Sequence, residues 1–421
     1  MSGNEIWEAA GTFLGQGIRA GIAEFYEAAE RIFEKEGFRE EMAGSVPSIL
    51  VVDMGAVGDN VLTSSFLREL RSNCPQAYIV LATSPIAYPL MELCPYVNEV
   101  LSFALPRFNR GGNPVVGTQE ILGFCREHLW KRKFDICLIP VWGSAPTEMR
   151  LLSYLSGARR RWSFSDAVND LYMPEPALLM EEKYLLTDAI VNPPELIHEA
   201  DRYLYLLEAM GLEVQDKSLE VWLGASDMRR ARELLGDFGV DGHLVALSTG
   251  AGFANRQYPT AQWLEALREI VEEGGRIVIV GGPKEAADGK FLKANLPLGT
   301  VLDLTGKTSM RESIAVISQM ELFMGNDTGM MHAATACRRP VIVIYREAVD
   351  REEVCTGVCS EFRRFEPYRA NYIALRPEHA LEGCRDVICY GGCMSREAHC
   401  IKQVRPEEIV EAFRIMTGQA S

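Results

Sequence analysis

The strongest constraint in this sequence is a rhythm. Short, continuously apolar runs alternate with glycine-rich turns and amphipathic stretches, and the whole pattern occurs twice. In the first half, Ser48-Ile-Leu-Val-Val-Asp53 has no polar residue between its ends, which suits a strand covered on both faces of a parallel sheet. The turn Met54-Gly-Ala-Val-Gly-Asp59 follows, opening a helical stretch that ends near Asn73. Strand and helix signals then alternate through 77–82, 85–93, 99–103, 119–131, 135–140 and 146–155. The second half repeats this more cleanly: strand 243–248, a loop from Thr249 to Pro259, helix 261–272, strand 276–280, loop Gly281-Gly-Pro-Lys-Glu285 and a helix to about Leu296. Strand 301–304, helix 311–319, a short strand from Glu321 to Met324, a turn into a helix and strand 341–345 complete it. This is the β-α-β order of open, doubly wound sheets, which carry function in the loops at the carboxyl ends of their strands.

A chain of 421 residues exceeds the roughly 250–300 at which one core stops growing, so two domains are expected. The rhythm assigns them to 46–212 and 213–405, with an N-terminal helix and linker over 1–45 and a C-terminal helix over 406–421. The fold class is therefore α/β, two Rossmann-like domains facing a cleft, with an N-terminal helical extension. Ile6 to Phe33 reads as one long amphipathic helix whose other face is rich in Glu and poor in cations. It is expected to pack on the body or on a second subunit, giving a homo-oligomer; contact with a membrane is the weaker alternative. The formal charge of −15, from 43 basic and 58 acidic residues, disfavours nucleic acid as a partner. With no long apolar run and no basic leader before an apolar segment, the expected place is the cytoplasm, with peripheral attachment at the inner face of the membrane as the variant.

The candidate chemistry lies in three loops of the second half. In Gly325-Asn-Asp-Thr-Gly-Met-Met-His-Ala-Ala334 a strand turns into a helix, whose first N–H groups and dipole form a ready site for phosphate. Asp327 is expected to cap that helix, Thr328 to add a hydroxyl, Gly329 to let a ligand approach the backbone, and His332 to face the same pocket or to serve as a core histidine. Gly250 to Arg256 and Gly281 to Glu285 fall at the same sheet edge. Together the loops offer N–H donors, a guanidinium and a carboxylate, as a nucleoside diphosphate requires. In the first half Asp59 lies in the first loop, either as a helix cap or as a chemical group. Arg107, Arg110 and Arg160, the last with Arg159 and Arg161 beside it, fall near later loops and could meet an anionic or polyhydroxyl acceptor, or form solvated faces. Late in the chain stand Cys384-x4-Cys389-x3-Cys393-x6-Cys400, with Cys355-x3-Cys359 upstream and His399 adjacent. These spacings are looser than paired C-x2-C and are read as structural thiols, so no metal is expected.

In this order and spacing, several segments resemble the ADP-heptose glycosyltransferases, the heptosyltransferases of glycosyltransferase family 9 and GT-B fold. They are the run Ile49 to Leu67, His198…Arg202-Tyr, Gly250-Ala-Gly…Arg256…Pro259, Gly281-Gly-Pro-Lys-Glu285, Leu304-Thr-Gly-Lys-Thr and Gly325 to Ala334. The resemblance implies inverting transfer of a heptose or similar sugar from an ADP-sugar to a hydroxyl of a glycan, glycolipid or protein acceptor. It implies no metal and no cofactor, and a place in lipopolysaccharide or other cell-surface glycan synthesis. It also implies Asp59 as the general base and Gly250, Ala251, Gly252, Arg256, Glu285, Asp327, Thr328, Gly329 and His332 as donor-binding residues, while a C-terminal helix of such proteins returns to the first domain. Two positions depart from the family's usual pattern: Arg256 replaces Lys and Tyr258 replaces Trp. A nucleotide-sugar epimerase or hydrolase of similar fold and a protein-modifying heptosyltransferase are the alternative readings.

Overall fold

The computed structural model describes residues 22–38, 40, 46–106, 114–141, 147–165, 182–238, 242–351, 360–384, 393, 395 and 397–419. Its contacts divide the chain into two compact units, Met1–Lys217 and Ser218–Ser421. Each is built on a six-stranded sheet in which every pairing is parallel.

In the first unit α1 (Ile22–Lys35) precedes β1 (Ser48–Asp53), α2 (Val57–Asn73), β2 (Tyr78–Thr83), β3 (Glu99–Ser102), β4 (Ile136–Leu138), β5 (Arg160–Phe164), β6 (Asp188–Ile190) and α3 (Glu199–Ala209). The sheet order is β3-β2-β1-β4-β5-β6. The central strand β1 is buried because it has apolar side chains for both faces. The described part of the N-terminal helix packs on the body. Phe25, Tyr26, Ala29 and Phe33 enter the same core as Leu50, Val52 and Tyr154, and the Tyr154 hydroxyl lies 3.0 Å from Glu30 Oε1. Residues 6–21 of the predicted helix lie outside the described residues. β5 and β6 were not expected: the arginines that begin β5 made its sequence read as a charged loop, and β6 is only three residues long.

The second unit contains α4 (Ala225–Leu235), β7 (His243–Ser248), α5 (Thr260–Glu272), β8 (Gly275–Ile279), α6 (Ala286–Asn295), β9 (Val301–Asp303), α7 (Met310–Ile317), β10 (Leu322–Asn326), α8 (Gly329–Ala336), β11 (Val341–Ile344), β12 (Tyr372–Leu375) and α9 (Pro406–Thr417). Its sheet order is β12-β11-β10-β7-β8-β9. Five of its strands match sequence expectations; β12, an apolar run of only 4 residues that is half-buried along its whole length, was not among them. Ile409, Val410, Ala412 and Phe413 of α9 are buried among Trp263, Leu267 and Ile270 of α5, so its apolar stripe completes the second unit's core. Among the described residues no helix is long and apolar enough to cross a membrane.

Candidate active site

The carboxyl edge of the second sheet assembles the donor-side residues. Asn326, the last residue of β10, is fully buried and holds the loop that follows β7. Its Nδ2 donates to the carbonyls of Thr249 at 2.8 Å and Gly250 at 3.1 Å, and its Oδ1 accepts from Tyr258 N at 3.1 Å. The Gly250-Ala251-Gly252 segment thus lies beside the loop after β8, where Glu285 folds against it. A Cβ built on Gly250 would stand 2.8 Å from Glu285 Oε1, so glycine is needed for close approach. Gly306 of the Leu304-Thr-Gly-Lys-Thr segment donates to Gly281 O at 2.9 Å, tying a fourth segment to the same edge.

Beyond β10 the helix α8 starts at Gly329, and its N-cap is Thr328, not Asp327 as expected. The Asp327 carboxylate is drawn away by charge: its Oδ2 lies 3.4 Å from Arg256 Nη1. The N–H groups of Gly329 and Met330, in the first turn, lie beyond reach of any intrahelical carbonyl. Two buried hydroxyls, Thr249 Oγ1 and Thr328 Oγ1, make no hydrogen bond among the described residues. His332 is buried with its ring edge-on to Phe365.

Arg256 also pairs with Glu361, and Arg346 Nε lies 2.8 Å from the other oxygen of Glu361. Glu347 accepts from Ser360 Oγ at 2.6 Å and pairs with Arg376 at 3.4 Å. Burial pushes the Asp327 carboxyl up, to about 7; Arg256 opposes this and Glu361 adds to it. Burial also acts on Glu361, but Arg256 and Arg346 outweigh it and hold that carboxyl below its ordinary value. The sequence reading missed Asn326, Arg346, Glu347 and Glu361. The first three stand at or just past the carboxyl ends of β10 and β11, a position that could have flagged them; Glu361 has no such signal.

In the first unit Asp59 sits inside the first turn of α2, since the helix begins at Val57 rather than after the aspartate. Its Oδ2 accepts from Ala56 N at 2.7 Å, and the residue is half-buried, leaving the carboxylate within reach of solvent. A second carboxylate supports this turn. Asp53, fully buried, accepts from Gly55 N at 2.9 Å and from the Thr63 hydroxyl at 2.5 Å; burial raises its carboxyl, and both hydrogen bonds work against that. His198 and Arg202 prove architectural: His198 Nδ1 caps α3 by accepting from Ala200 N, and the buried Arg202 pairs with Glu199 at 2.9 Å.

Arg160 is not brought to the edge that carries Asp59. It opens β5, which runs parallel to β4 and hence to β1, so it lies at the amino edge, where it pairs with Asp188 at 2.6 Å and stacks on Trp162. Arg159 is held by Asp135 and by Glu40 O, and Arg161 by Leu185 O and Ala158 O. Arg107 and Arg110 lie outside the described residues, as do Cys355, Cys359 and Cys389.

Two parallel-sheet α/β units, one with an amide-lined, arginine-bearing edge, define the architecture of GT-B glycosyltransferases. A family model described as glycosyltransferase family 9 (heptosyltransferase) matches residues 182–374. Lipopolysaccharide heptosyltransferase 2 of Escherichia coli is 23% identical over 310 residues, 70% of this chain and 82% of that protein. Its Salmonella typhimurium counterpart is 25% identical over 314 residues, with the same coverage of each chain. Among solved structures, a family 9 glycosyltransferase from Veillonella parvula superposes with a TM-score of 0.68 at 20% identity, covering 90% of this chain and all of that one. The E. coli ADP-heptose heptosyltransferase II superposes at 0.64 and 18% identity, covering 88% and 99%. By the family model over residues 182–374 and by these relatives, the chain is similar to glycosyltransferase family 9, the heptosyltransferases.

Proposed function

We propose that this enzyme transfers a heptose from an ADP-linked donor to a hydroxyl of a lipopolysaccharide acceptor, with inversion at the anomeric carbon and without a metal in the chemical step. The relatives whose names state lipopolysaccharide heptosyl transfer support the substrate class. The observation that carries the donor side is Arg256, fixed between Asp327 and Glu361 beside two buried hydroxyls that make no hydrogen bond among the described residues. A diphosphate placed there receives Arg256 and the first N–H groups of α8, while the Thr249 and Thr328 hydroxyls donate to oxygens of the nucleotide. As the sugar–phosphate bond breaks, the negative charge growing on the diphosphate is stabilised by donors already in place, each worth about 2.7–4 kcal/mol of barrier. Asp59 takes the proton of the acceptor hydroxyl as it attacks; its cap bond to Ala56 N orients the carboxylate, and a positioned base contributes about 10²–10⁴-fold.

The deciding experiment incubates the purified enzyme with ADP-heptose and heptose-deficient lipopolysaccharide, with and without EDTA. Turnover at saturating donor unaffected by the chelator, with an inverted linkage by NMR, is expected. Release of free heptose alone, or epimerisation of the donor, would overturn the transferase mechanism.

A further inference from the structure

Away from the donor edge, three metal-binding side chains meet in the segment leading to α9. Cys384 ends one turn of 3₁₀ helix, Glu382–Cys384, and Cys400 opens another, Cys400–Gln403, with His399 just before it. The His399 Nδ1 atom is 3.7 Å from Cys384 Sγ and 3.3 Å from Cys400 Sγ, and the three atoms lie within 4.8 Å of one another. Hydrogen bonding accounts poorly for this arrangement, because one ring nitrogen has a single lone pair or a single proton and two sulfurs converge on it. A tetrahedral ion accounts for it well. With metal–sulfur bonds of about 2.3 Å and metal–nitrogen bonds of about 2.0–2.1 Å, neighbouring sulfur and nitrogen ligands stand roughly 3.5 Å apart. Cys384, Cys393 and Cys400 are all free thiols. Cys393, half-buried, is the further thiol described on the intervening segment and lies outside this trio.

We infer that Cys384, His399 and Cys400, with Cys393 as fourth ligand, bind one divalent transition-metal ion, zinc being the ion best suited to thiolate and imidazole donors in tetrahedral array. Binding releases the three thiol protons to solvent, and no electron is transferred. The site is structural, and what it holds is the backing of the donor loop. Ser395 O, between the ligands, accepts from Asn255 Nδ2 at 2.9 Å, and Asn255 belongs to the turn Ala254–Arg256. Past Cys400, Val404 O accepts from the Tyr258 hydroxyl at 2.7 Å. The ion therefore closes a knuckle that grips the Arg256 loop on both sides of the guanidinium. This second consequence rests on the donor-site reading above; the metal site does not.

The test uses the full chain without an affinity tag, grown with and without added zinc. Elemental analysis should find one zinc or one iron per chain in folded, monodisperse protein. Cys384→Ser should lose the ion while its circular dichroism stays that of the parent. Because a variant could fail to fold, the parent protein is also stripped with a chelator and refilled with Co²⁺, which should produce thiolate-to-cobalt charge-transfer absorption. Metal well below one per chain in both preparations together with no cobalt band, or a Cys384–Cys400 disulfide found by mass spectrometry, overturns the site. Calorimetry with ADP should show affinity falling several-fold on stripping and returning with zinc. A stoichiometric ion whose removal leaves ADP affinity unchanged overturns the buttressing role, whereas a metal-loaded chain that never binds ADP overturns the donor reading alone.

Discussion

Asp59 and Arg256 differ in what their removal would expose. Asp59→Asn keeps an oxygen to accept from Ala56 N, so the turn and the protein's stability should persist while the proton acceptor is lost. Transfer should fall by about 10²–10⁴-fold with ADP affinity unchanged by calorimetry; equal loss of both would remove Asp59 from the role of base. Arg256→Ala leaves Asp327 and Glu361 facing each other without the cation they share. ADP binding should weaken first, followed by a lowered Tm. Asp327 makes the site sensitive to pH. Its folded-state value, about 7, lies above the ordinary 3.8, so between these values the folded protein keeps a proton that the unfolded chain has released. Its contribution to stability is therefore full at low pH, falls as pH rises through that window, and is level above it. Protonation also removes a negative charge beside the diphosphate. Affinity for an ADP-sugar should strengthen as pH drops from about 8 to about 6, and Asp327→Asn should flatten that profile; an unchanged slope in the variant would assign it to another group.

Elements meet at this site through close approach, and two glycines separate binding from folding. At Gly250 an added methyl meets the end of the Glu285 side chain, which can move. Gly250→Ala should therefore raise the KM for the donor with little change in Tm. At Gly325 in β10 the methyl would stand 2.9 Å from the backbone oxygen of Ser248 in β7, and neither strand can yield. Gly325→Ala should cost about 1–3 kcal/mol in urea unfolding. A reversed order of these two effects would mean that the β7–β10 seam, not the Gly250–Glu285 contact, tolerates added bulk.

For the whole molecule, the terminal helix is decisive because it belongs to the core of the second unit. Phe413 is fully buried there, and Phe413→Ala should cost about 3–5 kcal/mol, reducing ADP binding in proportion to the unfolded fraction. Were α9 an accessory segment, the same substitution would leave both thermal stability and ADP binding unchanged.

Periodicity alone revealed the doubly wound architecture, because strands such as β1, β7 and β11 are covered on both faces and so must be apolar throughout. It equally placed Asp59, Arg256 and Asp327 at the ends of such strands, where loops carry chemistry. Tertiary structure decided the rest. Arg160 went to the opposite edge because strand direction is fixed by pairing partners distant in sequence, and Glu361 joined Arg256 across more than a hundred residues with no local pattern to announce it. Thr328 replaced Asp327 as the helix cap because a guanidinium brought in from another loop attracts a carboxylate more strongly than a helix end does, and a contact of that kind exists only once the chain has folded.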